Sequence, residues 1–302
     1  LSADFASLKK GGRVVAIFLL VVTGLLLVQN AMGIGLATAL GLDPLMGLLA
    51  GSVTLSGGHG TGAAWGATFS EQYGLASASE LALAAATFGL VLGGLIGGPV
   101  ARLLVKRVHA SGIEQAQPQQ PRGFEQPNEE RLITSASFIE TLALIAVSLL
   151  VGSLLNGLLK GTALELPTFV CVLFVGVVLR NGLSALGAYR VFEREVSVLG
   201  NVSLSLFLAI ALMSLKLWDL AALAFPFFIL LATQALVMAL FAIFITFRVM
   251  GSNYDAAVLA AGHCGFGLGA TPTAIANMQA VTQRYGPSHI AFLVVPMVGA
   301  FF

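Results

Sequence analysis

The sequence predicts an all-α polytopic membrane protein built from inverted repeats of transmembrane helices, each repeat with a re-entrant glycine-rich hairpin. Of the 302 residues, 57% are hydrophobic and only 10% are charged, and the mean hydropathy is +0.94. Six apolar runs are long enough to cross a bilayer, and two further stretches without charged residues are interrupted by glycines. Because a soluble domain carries about a quarter charged residues, this composition excludes an ordinary soluble protein.

The charge balance and the cysteines exclude two further classes of protein. Fifteen Lys and Arg against fourteen Asp and Glu give a net charge of +1, so there is no polybasic face and we expect no nucleic-acid partner. Cys171 and Cys264 both lie in apolar runs, which argues against a disulfide scaffold or a zinc site.

The six apolar runs have about the 20 residues that a membrane-spanning helix requires. They are residues 14–40, 81–105, 132–159, 166–183, 196–217 and 220–247. Gln29 and Asn30 are the only strongly polar residues of the first run. In the second run, two overlapping G-x-x-x-G spacings between residues 93 and 98 predict that another backbone packs closely against this helix.

Residues 106–131 differ from the rest of the chain because eight of these 26 residues are charged and three are proline. Such a segment cannot bury a core, so it is predicted to be a cytoplasmic linker. We therefore divide the sequence into residues 1–105, the end of a first inverted repeat with two spans and a hairpin at 44–72, and residues 132–302. The latter form a second repeat with four spans, a hairpin at 255–285 and a truncated last span.

Charge placement decides whether the two glycine-rich stretches cross the membrane or return to the side from which they enter. If hairpin 1 (residues 44–72) and hairpin 2 (residues 255–285) both return, 13 of the 15 Lys and Arg lie on the cytoplasmic side. A crossing would separate the basic clusters on either side of hairpin 1 and violate the positive-inside rule. Hairpin 1 then opens to the outside and hairpin 2 to the cytoplasm, as an inverted repeat predicts.

The sequence also repeats itself weakly. Five residues of hairpin 1 recur 211 positions later: Leu48, Ala50, Gly51, Gly58 and Ala63. In addition, Tyr73-Gly74 and Tyr285-Gly286 occur near the two hairpin exits. The echo supports the repeat, although two Gly/Ala-rich stretches could share it by chance.

The end of hairpin 1, called tip 1 (residues 54–62), combines glycines with hydroxyl groups. Backbone amides and carbonyls freed inside a membrane are tolerated where they line a cavity or a ligand. Freed amides suit a carboxylate and freed carbonyls suit a sodium ion, although a tight turn that serves packing alone is the alternative. The candidate substrate- or sodium-binding residues are Ser56, Gly57, Gly58, His59, Gly60 and Thr61.

The end of hairpin 2, called tip 2 (residues 265–273), has the same ingredients. Asn277 follows Thr273 by four residues, so the two side chains share a helix face. Asn277 is expected either to contact a ligand or to make a hydrogen bond between helices. The candidate substrate- or sodium-binding residues of hairpin 2 are Gly267, Gly269, Ala270, Thr271, Thr273 and Asn277.

Two kinds of titratable residue lie within apolar surroundings. Glu140 is the one carboxylate well inside a predicted span, and it is either functional, as intramembrane carboxylates usually are, or a group that reaches the interface or caps a neighbour. His59 and His263 are not equivalent in the repeat and lack the spacing of metal ligands, so no metal other than sodium is expected.

Four functions remain open from the residues alone: a secondary transporter, a channel with a filter of carbonyl groups, an intramembrane serine hydrolase, and a structural membrane scaffold, which explains the helices but gives no reason for two polar, glycine-rich hairpins. The hydrolase is disfavoured because Thr54, rather than the glycine of a nucleophile elbow, stands two residues before Ser56. We therefore expect a protein that is not an enzyme. The residues do not distinguish glutamate from other small anions as the substrate.

Two long motifs resemble the bacterial sodium/glutamate symporter family. They are GSVTLSGGHGTGAAW at residues 51–65 and AAGHCGFGLGATPTAIAN at residues 260–277. The resemblance implies sodium-coupled uptake of L-glutamate across the bacterial inner membrane by an elevator-like, alternating-access homodimer, with no cofactor apart from the coupling ion. It also implies ten spans in two inverted repeats, of which the first three are absent from this sequence and the tenth is cut off.

The transporter hypothesis predicts the effect of a branched side chain at either tip. Gly58→Val and Gly269→Val are each expected to abolish uptake while the protein still inserts, because the broken backbone at a tip needs glycine. Sodium-driven uptake of labelled L-glutamate, together with the amount of protein in the membrane fraction, measures both. Near-normal uptake by both variants would contradict the assignment of the hairpins.

Overall fold

The computed structural model describes residues 12–75, 77–110, 133–162, 166–186, 191–214 and 223–299, and most of these residues are helical, with no strand among them. They form two compact units. One contains residues 133–214, and the other contains the described residues before and after that region.

Eleven α-helices are found in the described ranges. They are α1 (Gly12–Ala39), α2 (Pro44–Leu48), α3 (Gly58–Tyr73), α4 (Ala78–Ala110), α5 (Ser135–Leu159), α6 (Thr168–Ala185), α7 (Glu193–Ser214), α8 (Ala224–Phe241), α9 (Tyr254–Leu268), α10 (Thr271–Tyr285) and α11 (His289–Gly299). The π-helical segment Leu49–Val53 continues α2, and a second one, Ala242–Thr246, continues α8 into the short helical turn Phe247–Val249.

Five helical stretches are long and apolar enough to cross a membrane, which confirms a polytopic membrane protein. They are Gly12–Ala39, Ala78–Val108, Ser135–Leu159, Thr168–Ala185 and Ala224–Val249. Each corresponds to one of the six predicted spans. The remaining predicted span, residues 196–217, overlaps α7 at residues 196–214, and residues 215–217 lie outside the described part of the chain; α7 is not among these five.

The order of elements in α1–α4 recurs in α8–α11: a long helix, a short capped helix, a tip, a second helix and a further helix. Asp43 and Asn253 cap α2 and α9, and each side chain accepts a hydrogen bond from a backbone N–H of the first turn. Gly74 and Gly286, the glycines of the Tyr-Gly echoes, follow α3 and α10 with φ of 66° and 109°. The repeated dipeptides therefore have a local cause, because a helix often ends at a glycine with positive φ.

Hairpin 2 is an antiparallel pair of helices. At its open end the Tyr254 hydroxyl donates a hydrogen bond to the Gly286 carbonyl, and near its middle Asn277 Nδ2 donates to the Ala261 carbonyl at 3.3 Å. From Ala256 to Leu268, every residue of α9 is buried. A helix buried on all sides carries apolar or small residues on every face, as this one does apart from His263.

Glycines on one face of α4 allow α9 to approach closely. A Cβ at Gly89 would collide with the Leu268 carbonyl, one at Gly93 would lie 3.2 Å from the Leu268 Cβ, and one at Gly97 would collide with Asn277. Gly98, on the opposite face, has open space around it. The close packing that the G-x-x-x-G spacings predict is therefore confirmed for Gly93 and Gly97.

Hairpin 1 is fastened to α1 at two places. Gly33 of α1 and Gly47 of α2 cross with backbone against backbone, so that a Cβ at either would collide with the other. One turn earlier on α1, Asn30 Oδ1 accepts hydrogen bonds from the Ser52 backbone N–H at 3.1 Å and from the Ser52 hydroxyl at 2.9 Å.

The unit that contains α5–α7 is held by a pair of antiparallel neighbours, α5 and α6. Thr134 and Ser137 form a reciprocal capping box at the start of α5. A Cβ at Gly152 would lie 2.6 Å from the Val172 Cα, so the two helices touch through their backbones there.

The predicted linker, residues 106–131, begins as helix. Helix α4 continues to Ala110, five residues into the linker, and the rest of the linker lies outside the described residues.

Two glycines of α4 provide a matched test of this packing. Gly89→Ala is expected to lower the thermal midpoint of the detergent-solubilised protein by a few degrees, because overpacking against a backbone carbonyl costs about 1–3 kcal/mol. Gly98→Ala is expected to leave the midpoint unchanged or to raise it slightly, since alanine favours a helix and nothing obstructs its methyl group. Equal midpoints for the two variants would contradict the proximity of α9.

Candidate functional site

The two tips meet through a cluster of buried polar groups. Gln29 Nε2 donates a hydrogen bond to the Gly267 carbonyl at 2.7 Å. The Ser56 hydroxyl lies 2.9 Å from Gln29 Oε1 and 3.2 Å from the same Gly267 carbonyl. The structure therefore brings together Ser56 of tip 1 and Gly267 of tip 2, which are 211 residues apart in the chain.

The backbone of hairpin 1 is broken where tip 1 begins. Within the π-helical segment, Gly51 has φ of −98° and ψ of −140°, outside the helical range. The N–H groups of Ser56 and Gly57 then both bond to the Ser52 carbonyl, at 3.2 and 3.0 Å. Gly58 starts α3 with a φ of +70°, a conformation that disfavours a residue with a Cβ. Tip 1 is a turn that needs its glycines.

Two glycines of tip 1, Gly57 and Gly58, also have other residues close to them. A Cβ at Gly57 would lie 2.5 Å from the Val53 carbonyl and 2.8 Å from the Thr61 Cβ. A Cβ at Gly58 would lie 3.5 Å from the Gly269 carbonyl of tip 2. Substitution at Gly58 would therefore fill the space between the tips.

Tip 2 is a two-residue break between α9 and α10. Gly269 has φ of −143° and ψ of −99°, and both its N–H and that of Ala270 bond to the Gly265 carbonyl. Ala270 is extended, and α10 begins at Thr271 with Pro272 in its first turn. Because proline has no N–H, it fits the start of a new helix and not the continuation of α9.

Three threonines within the tips carry hydroxyl groups without a hydrogen-bond partner among the described residues. Thr61, Thr271 and Thr273 are half-buried, and none of their hydroxyl groups makes a hydrogen bond within the described part of the chain. A threonine inside a helix can instead bond to the carbonyl four residues earlier, as Thr68 does at 2.9 Å. Free hydroxyl oxygens can serve as ligands for a hard cation.

His59 lies in the first turn of α3 and contacts α4. Its Nε2 is 3.1 Å from Thr87 Oγ1, and the Thr87 hydroxyl donates to the Leu83 carbonyl at 2.8 Å. In the neutral imidazole one ring nitrogen donates a hydrogen bond and the other accepts one, and the tautomer decides which of them faces Thr87. The adjacent Gly60 is exposed.

Asn277 and Glu140 occupy different surroundings. Asn277 is buried, and its Nδ2 donates to the Gly93 carbonyl at 2.8 Å as well as to Ala261, so its amide nitrogen joins helices. Glu140 lies on α5, in the unit of α5–α7 and not in the unit that contains the tips, and its side chain is exposed.

The sequence does not predict that Gln234 or the Gln29 side chain takes part in the site. Gln234 Nε2 donates to the Gln29 backbone carbonyl at 2.7 Å, and Gln234 Oε1 is buried without a hydrogen-bond partner in the described ranges. The signal that could have found them is simple. Each is a carboxamide in an otherwise apolar span, where polar residues are costly and usually functional.

His263 is a buried polar residue in the middle of α9. Its Nδ1 lies 2.8 Å from Thr246 Oγ1 in the second π-helical segment, and the rings of Phe18 and Phe241 contact it edge-on. In the part of the chain that the structure describes, no group of three or more His, Cys, Asp or Glu could hold a metal ion. The chemistry available at the tips is thus that of oxygen ligands, amides and one imidazole.

Comparison with known proteins gives one consistent result. A sequence model of the sodium/glutamate symporter family matches residues 1–287. The sodium/glutamate symporters of Escherichia coli (strain K12) and Shigella flexneri are each 70% identical over 303 residues, which cover 100% of this chain and 75% of theirs. That of Haemophilus influenzae is 58% identical over 311 residues, with the same coverage. No solved structure matches.

These relatives are named as symporters and not as enzymes, which agrees with the expectation from the residues at tip 1. The matched region includes both glycine-rich tips and the helices that hold them. The chain belongs to the sodium/glutamate symporter family.

Proposed function

We propose that this protein takes up L-glutamate with sodium across the bacterial inner membrane, and that both bind between tip 1 and tip 2. The observation that carries the proposal is the meeting of Ser56 and Gly267, one from each glycine-rich tip, in a family named for sodium and glutamate. Irregular backbone at membrane depth is tolerated where it is buried in protein or lines a cavity. Two such breaks that face each other form a binding site made largely of backbone.

Sodium is a hard cation and prefers oxygen ligands. The tips offer carbonyls that helices have released, such as that of Gly267, and hydroxyl groups of Ser56, Thr61, Thr271 and Thr273. We assign the sodium ligands to this set. No cofactor is needed besides the coupling ion, because transport forms and breaks no covalent bond.

Glutamate presents two carboxylates and one ammonium group. Backbone N–H groups at the starts of α3 and α10 are suited to a carboxylate, because they point outward and the helix dipole favours negative charge there. The ammonium group needs an acceptor, which the hydroxyl oxygens and a neutral His59 imidazole can supply. The tips thus offer partners for each charged group of the substrate.

Coupling follows from shared binding energy. A sodium ion next to a bound carboxylate lowers the cost of placing that charge in the membrane interior, and the carboxylate favours sodium equally in return. The doubly occupied state is therefore more stable than either singly occupied state. A sodium gradient then drives glutamate accumulation if occupied and empty proteins alternate between the two sides.

We further propose that both hairpins are re-entrant, that the repeats are inverted, and that homodimers transport by an elevator-like, alternating-access motion. The antiparallel pairing of α9 with α10, with Tyr254 bonded to Gly286 at the open end, supports a return to the side of entry. The repeated order of elements supports the internal repeat. The distribution of Lys and Arg supports a cytoplasmic position for the linker at 106–131.

Uptake by the full-length protein in proteoliposomes tests the proposed function. Labelled L-glutamate is expected to accumulate when the inward gradient is sodium, and not when it is potassium or protons. Uptake should saturate with both glutamate and sodium. Electrical conductance without saturable, coupled uptake would instead favour a channel, and no uptake under any gradient would overturn glutamate as the substrate.

Substitution of a free hydroxyl group tests the sodium ligands. Thr61→Val and Thr271→Val are each expected to raise the sodium concentration for half-maximal uptake about tenfold, because a lost polar contact to a charged ligand costs about 1.5 kcal/mol or more. Thr68→Val on the same helix as Thr61 is the control, since the Thr68 hydroxyl bonds to its own helix. An unchanged sodium dependence in both test variants would remove these threonines from the site.

A further inference from the structure

We infer that Gln29 is a positioning residue that fastens the two tips to each other and to α1, and that transport requires this connection. The inference rests on the proposed function and adds to it a residue outside both hairpins. Gln29 is fully buried in α1 and is the side chain that hydrogen-bonds to both tips among the described residues.

The geometry uses both ends of the Gln29 carboxamide. Its Nε2 donates to the Gly267 carbonyl, and its Oε1 accepts from the Ser56 hydroxyl. A glutamate carboxylate at this position could accept from Ser56 but has no proton to donate to Gly267. A protonated glutamic acid has both a donor and an acceptor at the same distance from the backbone.

The surroundings hold Gln29 and its partners in place. Gln234 Nε2 donates to the Gln29 backbone carbonyl, which ties α1 to α8 at the same level. Gly267 is enclosed as well, since a Cβ there would lie 2.5 Å from Met238 Sδ and 2.7 Å from Leu25 Cδ2. Tip 2 therefore lies close enough to α1 for its carbonyl to reach the Gln29 side chain.

Replacement of Gln29 would remove the hydrogen bonds between α1 and the two tips while leaving the fold intact. In Gln29→Leu, the Ser56 hydroxyl can still donate to the Gly267 carbonyl at 3.2 Å, so neither group is left without a partner. The tips would keep one contact with each other and lose their polar contact with α1. We expect a protein that folds and binds but moves substrate slowly, because the two tips no longer share one fixed arrangement with the span.

Gln29→Glu tests the requirement for a donor and an acceptor together. Relative to wild type measured in parallel, maximal uptake is expected to fall about tenfold or more at about pH 8 and to recover to within about threefold at about pH 5, where a carboxyl group is more readily protonated. The described partners of Gln29 are the uncharged Ser56, Gly267 and Gln234. The parallel wild-type profile accounts for His59 and His263, the histidines nearest in sequence to the two tips.

Asn30→Asp is the matched control. It makes the same change from carboxamide to carboxylate one residue away, but within the described ranges the Asn30 side chain acts only as an acceptor, from Ser52. A carboxylate accepts these bonds equally well, so no recovery of uptake at acid pH is expected beyond that of wild type. A recovery in Asn30→Asp equal to that in Gln29→Glu would overturn the proposal.

Two further measurements separate positioning from folding and from the function itself. Gln29→Leu is expected to lower maximal uptake about tenfold with the KM for glutamate within about threefold of wild type and a similar thermal midpoint. Wild-type uptake by Gln29→Leu, or a pH profile of Gln29→Glu that matches wild type, would overturn the proposal. If wild type shows no sodium-driven uptake, the proposed function fails, and the connection is tested by the thermal midpoint of Gln29→Glu, which should rise at acid pH relative to wild type.

Discussion

In the unit that contains both tips, the other contacts depend on the close approach of α9 to the glycine face of α4. Lipid is as apolar as the side chains, so helices in a membrane gain little from burying them and instead gain from tight packing and hydrogen bonds. With Gly89 and Gly97 in α4, the α9 backbone lies directly against its neighbour and Asn277 reaches across both helices. A helix buried on all sides then places Gly267 and Gly269 deep in the protein instead of at its surface.

This burial creates a problem that polar side chains solve. The helices that end at the tips release backbone groups, and each one costs free energy if it is buried without a partner. Gln29 meets one of these needs, because its Nε2 donates to the Gly267 carbonyl at the end of α9. Its Oε1 accepts from the Ser56 hydroxyl, and Gln234 donates to the Gln29 backbone carbonyl within α1. Within the described ranges, the hydroxyl groups of Thr61, Thr271 and Thr273 make no hydrogen bond. The tips therefore combine a backbone held by hydrogen bonds with oxygen atoms that are available to a ligand.

Much of the site follows from local chemistry that the sequence displays. The glycines of tip 1 predict broken backbone, and Gly58 indeed has a positive φ. The position of Asn277 four residues after Thr273 predicts a shared helix face but leaves open a ligand contact or a bond between helices. The structure shows the amide nitrogen bonded to Gly93 and Ala261, which only the packing of three helices could decide. Gln29 is visible in the sequence as a polar residue in a span, but its partners are not.

The sequence by itself determined the class of the protein, five of the six predicted spans and the two interrupted stretches, because these depend on composition, on hydrophobic length and on the conformational freedom of glycine, all of which are local properties. The tertiary structure decided which groups meet. Ser56 and Gly267 are 211 residues apart, and Gln29 and Gln234 are 205 apart. Contacts between residues so far apart depend on which helix faces pack together. The G-x-x-x-G spacings predict that one face of α4 admits a close neighbour, but only the fit of backbones in the tertiary structure decides which helix lies there.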